Sequence, residues 1–133
     1  MNDRTSKLLL DAYLACGDMM SFVDGVTLEA YNESSLVRSA VERQIEIAAE
    51  ALAKAIELDP SVEEQLPEYH EVRGMRNRLA HDYERTNNEF VWNAANNRAP
   101  ALRERLGVIL TDAGWGHVLN AATWPRTYVT PSR

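Results

Sequence analysis

Residues 75–85, MRNRLAHDYER, gather Arg76, Asn77, Arg78, His81, Asp82 and Tyr83 into one short stretch. These residue types suit phosphodiester chemistry. An imidazole with an ordinary pKa near ~6.5 gives or takes a proton close to neutrality. A guanidinium offers a permanent fork of donors to a phosphate that gains charge in the transition state. On RNA, a base acting on the 2′-hydroxyl would turn it against its own phosphate and leave a cyclic phosphate end. DNA lacks that hydroxyl and would resist, and no metal or other cofactor is required.

Helical register sorts the cluster into two faces. Residues four apart share a face, so Asn77 goes with His81, and Arg76 goes with Tyr83, seven residues on. Arg76 and His81 are five apart, about 140° around an ideal helix. One straight helix therefore keeps them apart. Either the helix ends or bends near His81, or a second copy of the chain completes the site. The residue types alone leave a bland reading open beside the reactive one. His81 can cap a helix or bond Asn77, Asp82 can pair with Arg78 or Arg85, and Tyr83 can be a half-buried aromatic.

The rest of the chain sets the frame. With 133 residues, 45% hydrophobic and 26% charged, the sequence has the balance of one folded, soluble domain. The formal charge of −6 argues against broad, non-specific nucleic-acid binding, yet residues 73–79 hold three arginines and no acid. A local basic cleft is compatible with that pattern. Cys16 is the only cysteine, which excludes an intramolecular disulfide and a multi-cysteine zinc site. Asp11 interrupts the short apolar stretch at the start, far below the ~20 apolar residues of a membrane span. The expected location is the cytoplasm, with no membrane association.

Hydrophobic periodicity predicts helices that would hold the cluster in place. Leu8, Leu9, Ala12, Cys16, Met19, Met20 and Val23 line one face of residues 3–23. A connecting loop with one short helical turn follows. Val37, Val41, Ile45, Ala48, Leu52 and Ala55 mark a long second helix over 35–58, stopped by Asp59-Pro60. Residues 61–67 read as acidic and loop-like or loosely helical. A third helix over 69–81 carries Val72 and Leu79 inward, with Gly74 as a weak point. Thr86-Asn87-Asn88-Glu89 matches a capping box, with Thr86 as the cap of a fourth helix. That helix should turn Phe90, Val91, Ala94 and Ala95 inward, be interrupted around 96–100, and resume through Leu102, Leu106, Ile109 and Leu110, with Pro100 either kinking one helix or starting a fifth. Residues 111–133, with Trp115 and Trp124, read as a tail packing on the body. The expected architecture is all-α: an up-and-down bundle of four or five helices over 1–110, with the tail at 111–133.

The stretch GMRNRLAHDYERTNNEFVW resembles the signature of the HEPN superfamily in its HepT-like form, R-N-x3-H-x-Y, matched by Arg76, Asn77, His81 and Tyr83. Upstream, AVERQIEIAAEALAKAI resembles the family's long second helix, with Glu50 at its glutamate and Ala49 where a glycine is usual. The resemblance implies a HEPN-like bundle acting as a metal-independent endoribonuclease, the toxin of a toxin–antitoxin pair. It implies a homodimer with the motifs across a shared cleft, Arg76 and His81 as the catalytic pair, and Asn77 orienting the histidine. The implied partner is a minimal nucleotidyltransferase antitoxin that transfers AMP to Tyr83. Arg78, Asp82 and Glu50 would support the site, Glu50 by pairing with a motif arginine or simply as a solvated carboxylate. The alternative from another class is a non-catalytic HEPN module that presents a substrate to that nucleotidyltransferase.

Overall fold

The computed structural model describes residues 1–81 and 87–121, without the side chains of His81, Asn120 and Ala121. Every regular element among these residues is helical. The first, α1 (Asp3–Val23), begins where Asn2 Oδ1 accepts a hydrogen bond from the Thr5 amide at 2.8 Å. Such a cap satisfies one of the amides that a helix start leaves unpaired. Gly25, at φ 72°, turns the chain out of α1, a left-handed conformation that costs glycine little. The expected loop then holds a short helix, α2 (Leu28–Glu33), capped by Thr27.

The long helix α3 (Ser35–Leu58) has the bounds its periodicity predicts, with Ser34 Oγ accepting from the Val37 amide at 3.1 Å. Its inner face is rich in alanine, with Ala48, Ala51 and Ala55 buried beside Val41, Ile45 and Leu52. Small side chains let α1 approach closely along most of its length, and these two helices form the main packing pair. After Pro60 comes α4 (Ser61–Gln65), then α5 (Tyr69–His81), which carries the motif and lies against α3. The acidic stretch is thus helical rather than a plain loop.

Two expectations about the next segment are corrected. The cap of α6 (Asn88–Asn93) is Asn87, whose Oδ1 accepts from the Phe90 amide at 3.1 Å, so the cap falls one residue after Thr86. Phe90 is 45% exposed and does not join the core, whereas Val91, Ala94 and Ala95 do. With a cap at Asn87, Phe90 occupies the third helical position, on the outer flank. The interruption expected around 96–100 takes the form of a widened turn. Residues 94–98 form one widened π turn, in which the Ala99 amide bonds the Ala94 carbonyl five residues back, and α7 (Ala99–Leu110) continues directly. Pro100 then sits in the first turn of α7, where its missing N–H costs nothing. Asn96 Nδ2 donates to the Trp92 carbonyl at 2.9 Å, supporting the widened turn.

Leu102, Leu106 and Leu110 of α7 are buried against α1. At Gly107 a Cβ would come 3.3 Å from the Tyr13 ring, so glycine permits the close contact there. Trp92 Nε1 donates to the Val26 carbonyl at 2.8 Å, tying α6 to the α1–α2 connection. Beyond Leu110 the chain makes a second widened turn over 111–115, where Gly114 leaves the helical conformation (φ 89°) and kinks the path into α8 (Gly116–Ala121). Trp115, Val118 and Leu119 pack against the core. Trp124 lies outside the described residues. Among the described residues no helix is long and apolar enough to cross a membrane.

Candidate functional site

The motif helix α5 is two-faced. Val72, Met75 and Leu79 are half-buried against the core, and Arg73, Gly74, Arg76, Asn77 and Arg78 are exposed. Its beginning is fixed by acids that reach across to the last helical segment. Glu68, just before α5, meets Arg105 of α7 at 2.8 Å, and Glu71 meets Arg98 at 2.7 Å. Arg73 lies over the Tyr69 ring, 5.7 Å from its centroid. Exposed ion pairs of this kind contribute at most about 1 kcal/mol each. Their effect here is to hold the base of the motif helix against the π turn.

Toward its C-terminal end α5 presents free positive charge. No carboxylate among the described residues lies within ion-pair distance of Arg76, and Asn77 is exposed beside it. Arg78 sits over the Phe90 ring, 4.5 Å from the centroid, which joins the motif helix to α6. His81 is the final residue of α5. The side chain of His81, together with Asp82 and Tyr83, lies outside the described residues. The helix runs unbroken from Tyr69 to His81, so positions 76 and 81 keep the angular separation of regular α-helix.

Among the described residues Glu50 pairs with Lys54 and with no arginine of the motif. It lies on the exposed side of α3, 3.3 Å from Lys54, in the shallow surface shared with Leu8 and Leu14 of α1. That side is turned from α5 because the inner face of α3 is already filled by its alanines and Ile45. His70 and His117 are exposed; His70 approaches Glu63 at 3.5 Å and Arg73 at 3.4 Å. Among the described residues no cluster of three His, Cys, Asp or Glu could hold a metal ion.

Two hollows flank the motif helix. An open groove of about 800 Å³ runs between α5 and the α6–π-turn segment, with Gly74, Arg78, Phe90, Asn93, Asn97 and Arg98 along it. Sequence reading missed this groove. The signal available was the pair Asn93 and Asn97, four apart and so on one face. Beneath α5 lies an apolar cavity of about 270 Å³, lined in part by Cys16, Met19, Ile45, Val72, Met75 and Leu102.

Burial pushes the Cys16 thiol up to about 12, with the charge of Arg103 opposing the shift. A thiol so placed is chemically quiet, with about 10³-fold less thiolate than an ordinary cysteine near neutrality. Native protein should therefore be alkylated by iodoacetamide at pH 8 far more slowly than the denatured chain, followed by intact mass against time; equal rates would overturn this. The folded thiol titrates above the unfolded one. Its contribution to stability is thus complete below pH 9 and is lost as pH rises toward about 12.

No solved structure matches this chain. The sequence model of the family described as "Ribonuclease HepT-like" matches residues 13–109, from the middle of α1 to the penultimate residue of α7. This span includes the whole of α3 and α5, with Arg76, Asn77, His81 and Tyr83 inside it. Taken with the all-helical bundle and the exposed arginines of its central motif, the match establishes that the chain belongs to the HepT-like ribonuclease family of the HEPN superfamily.

Proposed function

We propose that the protein is a metal-independent endoribonuclease toxin. His81 acts as the proton-transfer group, Arg76 binds the phosphate and stabilises its developing charge, and Asn77 orients the imidazole. The observation that carries the reading is the solvent-facing half of α5. Arg76 stands exposed on it with no carboxylate partner among the described residues, inside the segment that matches a ribonuclease family. An exposed arginine that no described carboxylate engages can offer its donors to a phosphate.

The chemistry follows from those groups. The imidazole removes the proton of a ribose 2′-hydroxyl, the oxygen attacks the adjacent phosphorus, and the 5′-oxygen of the next nucleotide leaves. The products are a 2′,3′-cyclic phosphate and a free 5′-hydroxyl. Because positions 76 and 81 are about 140° apart around a regular helix, this reading puts the reacting phosphate between two protomers, with Arg76 from one and His81 from the other. A C2 dimer makes two such sites from one self-complementary surface.

The inhibitory partner in this reading is a minimal nucleotidyltransferase antitoxin that transfers AMP to Tyr83. The tyrosine oxygen attacks the α-phosphorus of ATP and pyrophosphate leaves. The added phosphate brings negative charge and bulk next to Arg76, which then competes with RNA. Tyr31, fully buried, and Tyr69, nearly so, are poor alternative acceptors.

Inducing the protein in a growing bacterial culture should arrest growth, and RNA from those cells should carry new cyclic-phosphate ends. Normal growth with unaltered RNA would turn the reading toward the non-catalytic module. Co-expression with the partner should raise the intact mass in AMP-sized steps. The same gain in Tyr83→Phe would refute Tyr83 as acceptor.

A further inference from the structure

The groove beside the motif helix has a composition unlike the rest of this acidic chain. Its α5 wall is Glu71, Gly74, Met75 and Arg78, with the Glu71 carboxylate engaged by Arg98, and its opposite wall is Phe90, Asn93, Ala94, Asn97 and Arg98 from α6 and the π turn. Gly74 has nothing within 4 Å of where a Cβ would stand, so the wall is open at that point. Asn93, Asn97 and Phe90 are all exposed, and among the described residues neither amide side chain makes a hydrogen bond. Arg98 is the one cation of the groove that is already neutralised, by Glu71 at 2.7 Å. Arg78 is held over Phe90 and has no carboxylate partner among the described residues.

These groups are the parts of a single-strand nucleotide site. Unpaired bases stack on aromatic rings and on guanidinium planes, and such platforms accept any base. A carboxamide adds discrimination, because it offers one donor and one acceptor side by side and can meet the edge of a base with both. Positions 74, 78 and 81 follow one another on adjacent turns of α5, so the groove lies along the row that ends at the motif histidine. An RNA strand with its reacting phosphate at that end would run its neighbouring nucleotide into the groove.

We propose that this groove is a base-recognition subsite. The Arg78–Phe90 pair is the stacking platform, and the amides of Asn93 and Asn97 read the base edge. Adenine, whose adjacent donor and acceptor suit a carboxamide, is the favoured base. The proposal rests on the ribonuclease reading for its substrate class. Asn93 and Asn97 are specificity-determining residues in it and take no part in proton transfer.

The test is binding, which needs no turnover. Fluorescein-labelled 12-mers of A, C, G and U are titrated against His81→Ala protein by anisotropy, alone and with Asn97→Ala, Asn93→Ala, Phe90→Leu or Arg78→Gln added. The expected result is tightest binding to the A 12-mer, by about 5-fold or more over the weakest. Either asparagine change should flatten that preference, and Arg78→Gln should weaken all four RNAs. All these side chains are exposed, so the variants should fold, checked by circular dichroism. Equal affinity of the parent protein for the four RNAs, or a preference that the asparagine variants keep, overturns the subsite. So does a loss of the dimer in those variants by light scattering, which would make the groove an interface between copies. Wild-type protein that binds with this preference but never cuts RNA would instead sink the ribonuclease reading and leave the subsite standing.

Discussion

His81→Ala should lower the rate of RNA cleavage by about 10²–10⁴-fold, the range that a positioned general acid–base contributes. Arg76→Ala should cost about 10²–10³-fold, the size of a lost transition-state charge contact. Combining the two should cost little more than the worse of them, since both act on one step. Arg76→Ala should leave the fold intact, because Arg76 is exposed. Circular dichroism and thermal melting check that point. Cleavage at the wild-type rate in either variant would remove the proposed mechanism. The stronger experiment mixes the two inactive proteins. If each site takes Arg76 from one protomer and His81 from the other, a mixed dimer has one site with both changes and one with neither. Activity should then return to about one quarter of wild type on statistical exchange of subunits. If each site were built within one chain, both sites of every dimer would stay defective and the mixture would remain inactive.

The second large effect is on stability. Leu52→Ala should cost about 2–5 kcal/mol, because it removes a side chain that is 0% exposed from the contact between the two longest helices. The neighbours on that face are already small, Ala48, Ala51 and Ala55, so they cannot move in far enough to fill the hole. In thermal melting this should read as a fall on the order of 10 °C. Leu36, 80% exposed near the start of the same helix, is the control. Its replacement by alanine should change stability by no more than about 0.5 kcal/mol. Similar losses at both positions would contradict the burial pattern.

What the sequence disclosed depended on how local the cause was. The bounds of α1, α3 and α5 follow from period-3.6 apolar stripes and from nearby stops such as Asp59-Pro60, all contained in a few adjacent residues. Asn87 replaced Thr86 as the cap because both types cap well, and only the backbone decides which of them leaves the helical conformation. Phe90 stands four residues before the buried Ala94, a spacing that suggests burial, but in the first turn of α6 it meets the Arg78 guanidinium and stays 45% exposed. At Pro100 a kink and a new helix fit the sequence equally well, and the choice is made by the backbone bonds of the widened turn before it. For Glu50 the local rule was available and not followed: Lys54, four residues on, is the expected ion-pair partner on a helix surface. Within the candidate site, the exposure of Arg76 and Asn77 follows from the apolar stripe on the other side of α5. The stacking of Arg78 on Phe90 joins positions on separate helices, and no spacing rule predicts it.

The widened turn at 94–98 also bears on how this protein tolerates changes in length. An extra residue taken up in a single loose turn leaves the segments on either side facing as before, with Val91 and Leu102 both still inward. One residue can therefore be deleted there without swinging α7 away from the core, provided that Pro100 is exchanged for a residue that can join an ordinary helical ladder. Elsewhere in the long helices a single deletion would rotate every later side chain by about 100° and turn the buried face outward. The segment beside the motif is thus a place along this helical path where chain length and facing are uncoupled. Insertions and deletions can reshape the groove there while the bundle keeps its packing.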